Sequence, residues 1–231
     1  MFFNLVRKRR DVTAVLKSSQ ENLFIKKDYL EGINITPIVK HYKVFSEVNE
    51  VAKEYDADMI VMGSHGASGI KEFFVGSNTE RVVRNAEIPV LVLKTDLPNI
   101  SFETVIFATD FDLENVKPYL NACKMLEKFG SKLKLLYVNL PNENFRSTVE
   151  IEQRIAEFLQ TADGNLDKIS EVAYQADYSV EQGVVNYANK IGADLIAIPT
   201  HGRTGVTHFF SGSIGEDIVN HSSLPVITFK I

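Results

Sequence analysis

The chain has 231 residues, 45% of them hydrophobic and 24% charged, with a formal net charge of -5 and a single cysteine. That composition supplies apolar residues for two modest cores, gives no electrostatic footprint for nucleic acid, and excludes an internal disulfide framework. No apolar run reaches the roughly 18 residues of a membrane span, and Met1-Phe2-Phe3-Asn4-Leu5-Val6 is too short and wrongly ordered for a signal peptide. A cytoplasmic protein with no membrane or nucleic-acid partner is expected.

In chain order, the basic run Arg7-Lys8-Arg9-Arg10 reads as the solvated start of a helix. A strand containing Ile35 follows, and then Val48, Val51, Ala52 and Tyr55 form a helical stripe at i, i+3, i+4, i+7. Met59-Ile60-Val61-Met62 is short, bounded and unalternating, as befits a parallel strand buried on both faces. A glycine-rich loop, Gly63-Ser64-His65-Gly66-Ala67-Ser68-Gly69, leads from it to Gly76-Ser77, where the serine is a good N-cap and Val82-Val83 supply the inner face of a helix. Pro89 to Leu93 is the next strand, and the short stretch Asp96 to Ile100 links the two halves, 1–98 and 99–231.

The second half opens with a strand (Val105 to Ala108), a helix (Val116 to Phe129) that carries Cys123 as a packed thiol, and a strand (Leu133 to Val138). It then repeats the grammar of the first: a helical stripe of Val184, Tyr187, Ala188 and Ile191, a strand Leu195 to Ile198, a loop Pro199-Thr200-His201-Gly202-Arg203-Thr204-Gly205, a helix opened by Gly212-Ser213, and a last strand, Pro225 to Phe229. Ala57–Lys94 and Ala193–Lys230 align without a gap, identical at about fifteen of thirty-eight positions, so the chain is an internal duplication. Strand, loop, helix and strand in succession give βαβ units and an α/β sheet.

The spacing G-x2-G-x9-G-[ST], met by Gly63, Gly66, Gly76 and Ser77, resembles the nucleotide-binding motif of the universal stress protein family, as do the flanking ADMIVMGSHGASG and EIPVLVLK. The second copy resembles the family from Thr104 to its end, the first from about Ile33 onward. The resemblance implies two tandem doubly wound parallel-sheet domains of strand order 3-2-1-4-5. The first would be incomplete, with a hole between its Ile35 strand and its Met59 strand. Truncation of a longer parent is the expected cause, with a substitute segment as the alternative, and the open edges are expected to drive homo-oligomer formation. In a tandem chain the strands Val90 to Leu93 and Val226 to Phe229 are expected to lie side by side.

A glycine-rich turn between a parallel strand and a helix presents backbone N–H groups and the positive helix end to an anion. By resemblance, Gly63, Gly66, Gly76 and Ser77 would hold ATP ribose and phosphates in the first half, and Gly202, Gly212 and Ser213 in the second. Asp110 would lie near the adenosine, and Val138 would line the adenine pocket with its main chain. The first half lacks counterparts of Asp110 and Val138. The second has Pro199 at the first glycine position, which removes one N–H donor, so ATP binding is expected to be weak. Gly69 and Gly205 read as packing glycines, His65 and His201 as hydrogen-bonded turn histidines, and His201 with His208 as no metal site. Phe73-Phe74 and Phe209-Phe210 fit burial or a partner surface. The resulting expectation is a nucleotide-binding stress or regulatory module rather than an enzyme. A scaffold that acts only through protein contacts is the alternative.

Overall fold

In the computed structural model, residues 3–7, 11–16, 34–39, 44–63, 77–94, 102–141, 145–201 and 212–231 are described. The chain divides into two units, Met1–Asp96 and Leu97–Ile231.

The first unit runs β1 (Phe3–Arg7), β2 (Asp11–Leu16), β3 (Asn34–Val39), α1 (Val44–Glu54), β4 (Met59–Gly63), α2 (Ser77–Asn85) and β5 (Val90–Leu93). Its strands lie in the order β3-β2-β1-β4-β5. The pairs β2–β3 and β4–β5 are parallel, whereas β1 is antiparallel to both neighbours, with Arg7 opposite Asp11 and Phe3 opposite Met62. This corrects the expected hole in favour of the alternative, a substitute segment: β1 and β2 fill it. Arg7 ends a strand instead of opening a helix, while residues 8–10 lie outside the described residues. Chain length dictates the reversal. A parallel pair needs a crossover of a dozen or more residues, and only residues 8–10 separate β1 from β2, so the two can pair only as a hairpin. In the order of its strands, this hairpin occupies the place that a strand–helix–strand crossover holds in the second unit. Three of the four residues of the predicted helical stripe, Val48, Val51 and Ala52, are buried, whereas Tyr55 lies just past the end of α1 and is half-buried.

The second unit runs β6 (Thr104–Ala108), a 3₁₀ turn (Leu113–Asn115), α3 (Val116–Glu127), β7 (Lys132–Asn139), α4 (Thr148–Ala162), β8 (Ala173–Ala176), α5 (Val180–Ile191), β9 (Leu195–Thr200), α6 (Gly212–His221) and β10 (Val226–Lys230). Its strands are all parallel and lie in the order β8-β7-β6-β9-β10, which is 3-2-1-4-5 in the unit's own count. Every residue of β9 is buried, as its unalternating apolar run predicts. α3 stops two residues before the predicted Phe129. The pair α4 and β8, unread in the sequence, completes the layer; Ser147 and Glu150 form a reciprocal capping box at the start of α4. Phe107, Phe111, Tyr119 and Phe158 are fully buried and meet edge-on or tilted between α3, α4 and the sheet.

Candidate functional site

In an open parallel sheet, ligands bind beyond the carboxyl ends of the strands where the strand order reverses, which in the second unit is between β6 and β9. Asp110 leaves β6 at that point. Its Oδ1 accepts from the Asp112 N–H at 3.0 Å and from Asn115 Nδ2 at 2.8 Å. Its Oδ2 faces Arg154 Nη2 at 3.5 Å, and its carbonyl accepts from Arg154 Nε at 2.6 Å. The same guanidinium donates to Asp112 Oδ2 at 2.8 Å. Between the two aspartates Phe111 takes a φ of 59°, a left-handed conformation rare for a large side chain. Burial of its ring against Tyr137 and Phe158, with a hydrogen bond from its N–H to Thr109 Oγ1, holds it there. Asn115 is itself buried, and its Oδ1 takes no hydrogen bond from the described residues.

Across the reversal, β9 ends in Pro199 and Thr200. Ile196 N–H donates to Pro225 and Ile231 N–H donates to Thr200, so the even-numbered positions of β9 face β10. By alternation the Pro199 nitrogen faces β6, beyond the last β6–β9 pair, Phe107 with Ala197. The proline therefore breaks no ladder hydrogen bond, and the donor it lacks is lacking at the cleft. His201 follows, its Nε2 3.0 Å from Glu114 Oε1, which ties the end of β9 to the loop after β6. Gly212 and Ser213 are the first two residues of α6. Val138 lies buried in β7, with Gly183 of α5 packed so closely that an added Cβ would come within 2.6 Å of Val138 Cγ1. A cavity of about 360 Å³ opens at the ends of β7 and β8, lined by Asn139, Leu140, Pro141, Phe145, Asp177 and Tyr178.

In the first unit, Gly63 ends β4, its carbonyl accepting from the buried Thr79 hydroxyl at 3.3 Å, and Ser77 opens α2. Because β1 runs antiparallel, its amino end rather than its carboxyl end lies beside Met62, so among the described residues no strand delivers a counterpart of Asp110 to that reversal. Gly66, Gly76 and Gly202 lie outside the described residues, as do Gly69, Gly205, His65, His208 and the pairs Phe73-Phe74 and Phe209-Phe210. Among the described residues no group of three acidic, His or Cys side chains is placed to hold a metal ion, and no helix is long and apolar enough to cross a membrane. Burial raises the Cys123 thiol above its ordinary pKa, with its Tyr119 and Lys168 neighbours acting in the other direction. The family resemblance singles out Asp110 but neither Arg154 nor Asn115, the side chains that hold it. Nothing local marks Arg154, which stands 44 residues from the carbonyl it holds.

The sequence matches the universal stress protein family over residues 6–94 and 101–230. The chain belongs to the universal stress protein family. Among curated members, universal stress protein Slr1230 of Synechocystis is 28% identical over 181 residues, covering 76% of this chain and 58% of its own length. Universal stress protein MJ0577 of Methanocaldococcus jannaschii is 34% identical over 87 residues, 37% of this chain and 52% of that protein. The chain thus spans a little over half the length of these relatives. Among solved structures, a universal stress protein from Archaeoglobus fulgidus superposes with a TM-score of 0.59 at 25% identity, over 86% of this chain and 70% of that one. A Pseudomonas aeruginosa structure described as a putative universal stress protein reaches 0.68 at 17% identity, over 95% and 82%, a likeness of fold.

Proposed function

We propose that this universal stress protein is a regulatory module that binds an adenine nucleotide in its second unit without obligatory catalysis. The observation that carries the reading is Asp110: a carboxylate at the strand-order reversal, held on both oxygens, with Gly212 and Ser213 opening α6 on the other side. The nucleoside lies against Asp110 and the Val138 main chain, and the phosphates lie toward Gly202, Gly212 and Ser213, where the positive end of α6 stabilises negative charge. Pro199 withholds one donor from the phosphate end, so ATP binds at micromolar or poorer affinity.

In the first unit, the family-like residues Gly63, Gly66, Gly76 and Ser77 are assigned at most a phosphate-sized anion, because the reversed β1 brings no counterpart of Asp110 among the described residues. The unit's place is in protein contacts, including homo-oligomer formation. The test is calorimetry of the purified chain with AMP and ATP, alongside Asp110→Asn. Saturable binding by the parent that weakens at least about tenfold in the variant supports the reading. Absence of binding by the parent, together with no adenine nucleotide released on denaturation, leaves the scaffold reading.

A further inference from the structure

We propose that Arg154 is the positioning residue of the nucleoside end of this site: it sets the orientation of Asp110 before any ligand arrives, without itself touching the ligand. This rests on the nucleotide reading above. Three contacts from one guanidinium converge on a three-residue span, Asp110 to Asp112. Nε holds the Asp110 carbonyl at 2.6 Å, and Nη2 holds Asp112 Oδ2 at 2.8 Å and lies 3.5 Å from Asp110 Oδ2. Phe111, between those aspartates, is the residue with the left-handed backbone, so the guanidinium braces the strained turn from outside while the ring is pinned from inside.

A planar fork of donors makes this set of contacts, and a lysine ammonium, a single point on a flexible stem, does not. The far oxygen of Asp110 is held independently by Asn115 and by the Asp112 N–H. With both oxygens braced, little rotamer freedom remains to be lost on binding. The Arg154 side chain is 24% exposed and that of Asp110 13%, so the pair is partly shielded from competing water. Arg154 comes from α4, the helix that also sets Phe158 against the Phe111 ring, and not from a strand end.

The test is a thermodynamic cycle on the full chain with AMP as the probe, comparing the parent, Arg154→Met, Asp110→Asn and the double variant. Arg154→Met is expected to weaken AMP binding about tenfold or more, and Arg154→Lys to recover little of that loss. In the Asp110→Asn background the same change at Arg154 is expected to cost less than about twofold, because its effect runs through the carboxylate already removed. That non-additivity is the readout a purely structural role for Arg154 does not produce. Equal losses in the two backgrounds overturn the proposal, as does parent-like binding by Arg154→Met. If Arg154→Met does not fold, Arg154→Lys in both backgrounds decides on the same criterion. Failure of the parent to bind AMP overturns the nucleotide reading and this one together, whereas loss of binding in Asp110→Asn with none in either Arg154 variant overturns only the role of Arg154.

Discussion

Replacing Gly183 by alanine sets two terms of opposite sign against each other. Gly183 lies inside α5, where alanine is favoured over glycine by about 1 kcal/mol of helix propensity. The added Cβ, however, would stand 2.6 Å and 3.0 Å from the two γ-methyls of Val138 and 3.2 Å from Asp177 Cβ. Carbon atoms in contact rest at about 3.5–4.0 Å, so α5 and β7 must separate by roughly 1 Å or Val138 must leave its rotamer. Val138 is 2% exposed on a strand paired on both sides, which leaves it little room. Overpacking of this kind costs about 1–3 kcal/mol, and we expect a net loss of up to about 2 kcal/mol after the helix term is offset.

Urea unfolding of Gly183→Ala measures the net term, and AMP calorimetry reports whether the displaced Val138 main chain weakens nucleotide binding. Val138→Ala supplies the control: in its background the two γ-methyl clashes are gone and only the 3.2 Å contact with Asp177 Cβ remains, so Gly183→Ala costs less than in the parent. A Gly183→Ala protein more stable than its parent by the full helix term would refute the close packing of α5 on β7.

Further outcomes follow from single observations. Pro199→Gly restores a donor at the cleft and tightens AMP or ATP binding by up to about tenfold, while glycine lowers the melting temperature; calorimetry with no gain in affinity refutes the orientation assigned to the proline nitrogen. Because burial raises the Cys123 thiol, iodoacetamide modifies it more slowly at pH 8 than it modifies a free cysteine, and equal rates would contradict that environment. Burial lowers Lys94 from 10.5 to about 8, so between those values the unfolded chain binds more protons at this group than the folded one. The resulting penalty is full below pH 8 and fades as pH rises toward 10.5. Lys94→Met therefore raises stability at pH 7 by about 1 kcal/mol after discounting for solvent screening, and by little at pH 10.5; the opposite pH trend in denaturant unfolding would refute the assignment.

The sequence alone determined the duplication and the class of each repeated element, because each is a local or periodic signal, whereas Asp110 is singled out by family resemblance. Met59 to Met62 and Leu195 to Ile198 read as buried parallel strands from their own composition, and the Val48, Val51, Ala52 stripe fixes the inner face of a helix whatever lies beneath it. Only the tertiary structure decided the rest. Counting elements against the second copy leaves the first with a gap, since Phe3–Arg7 and Asp11–Leu16 carry no parallel-strand pattern. Their strand character comes from the backbone groups of β3 and β4 that they satisfy, and three intervening residues force the antiparallel sense. Arg154 lies in α4, a helix the sequence pattern does not single out. Its role emerges when α4 packs on the sheet and brings its guanidinium to Asp110 and Asp112, more than forty residues away. Gly183 reads as an indifferent helix residue until α5 is laid against Val138. Local pattern is encoded by the neighbours of a residue in the chain, whereas a contact across 44 residues exists only because the order of the strands and the layering of the helices bring its two ends together.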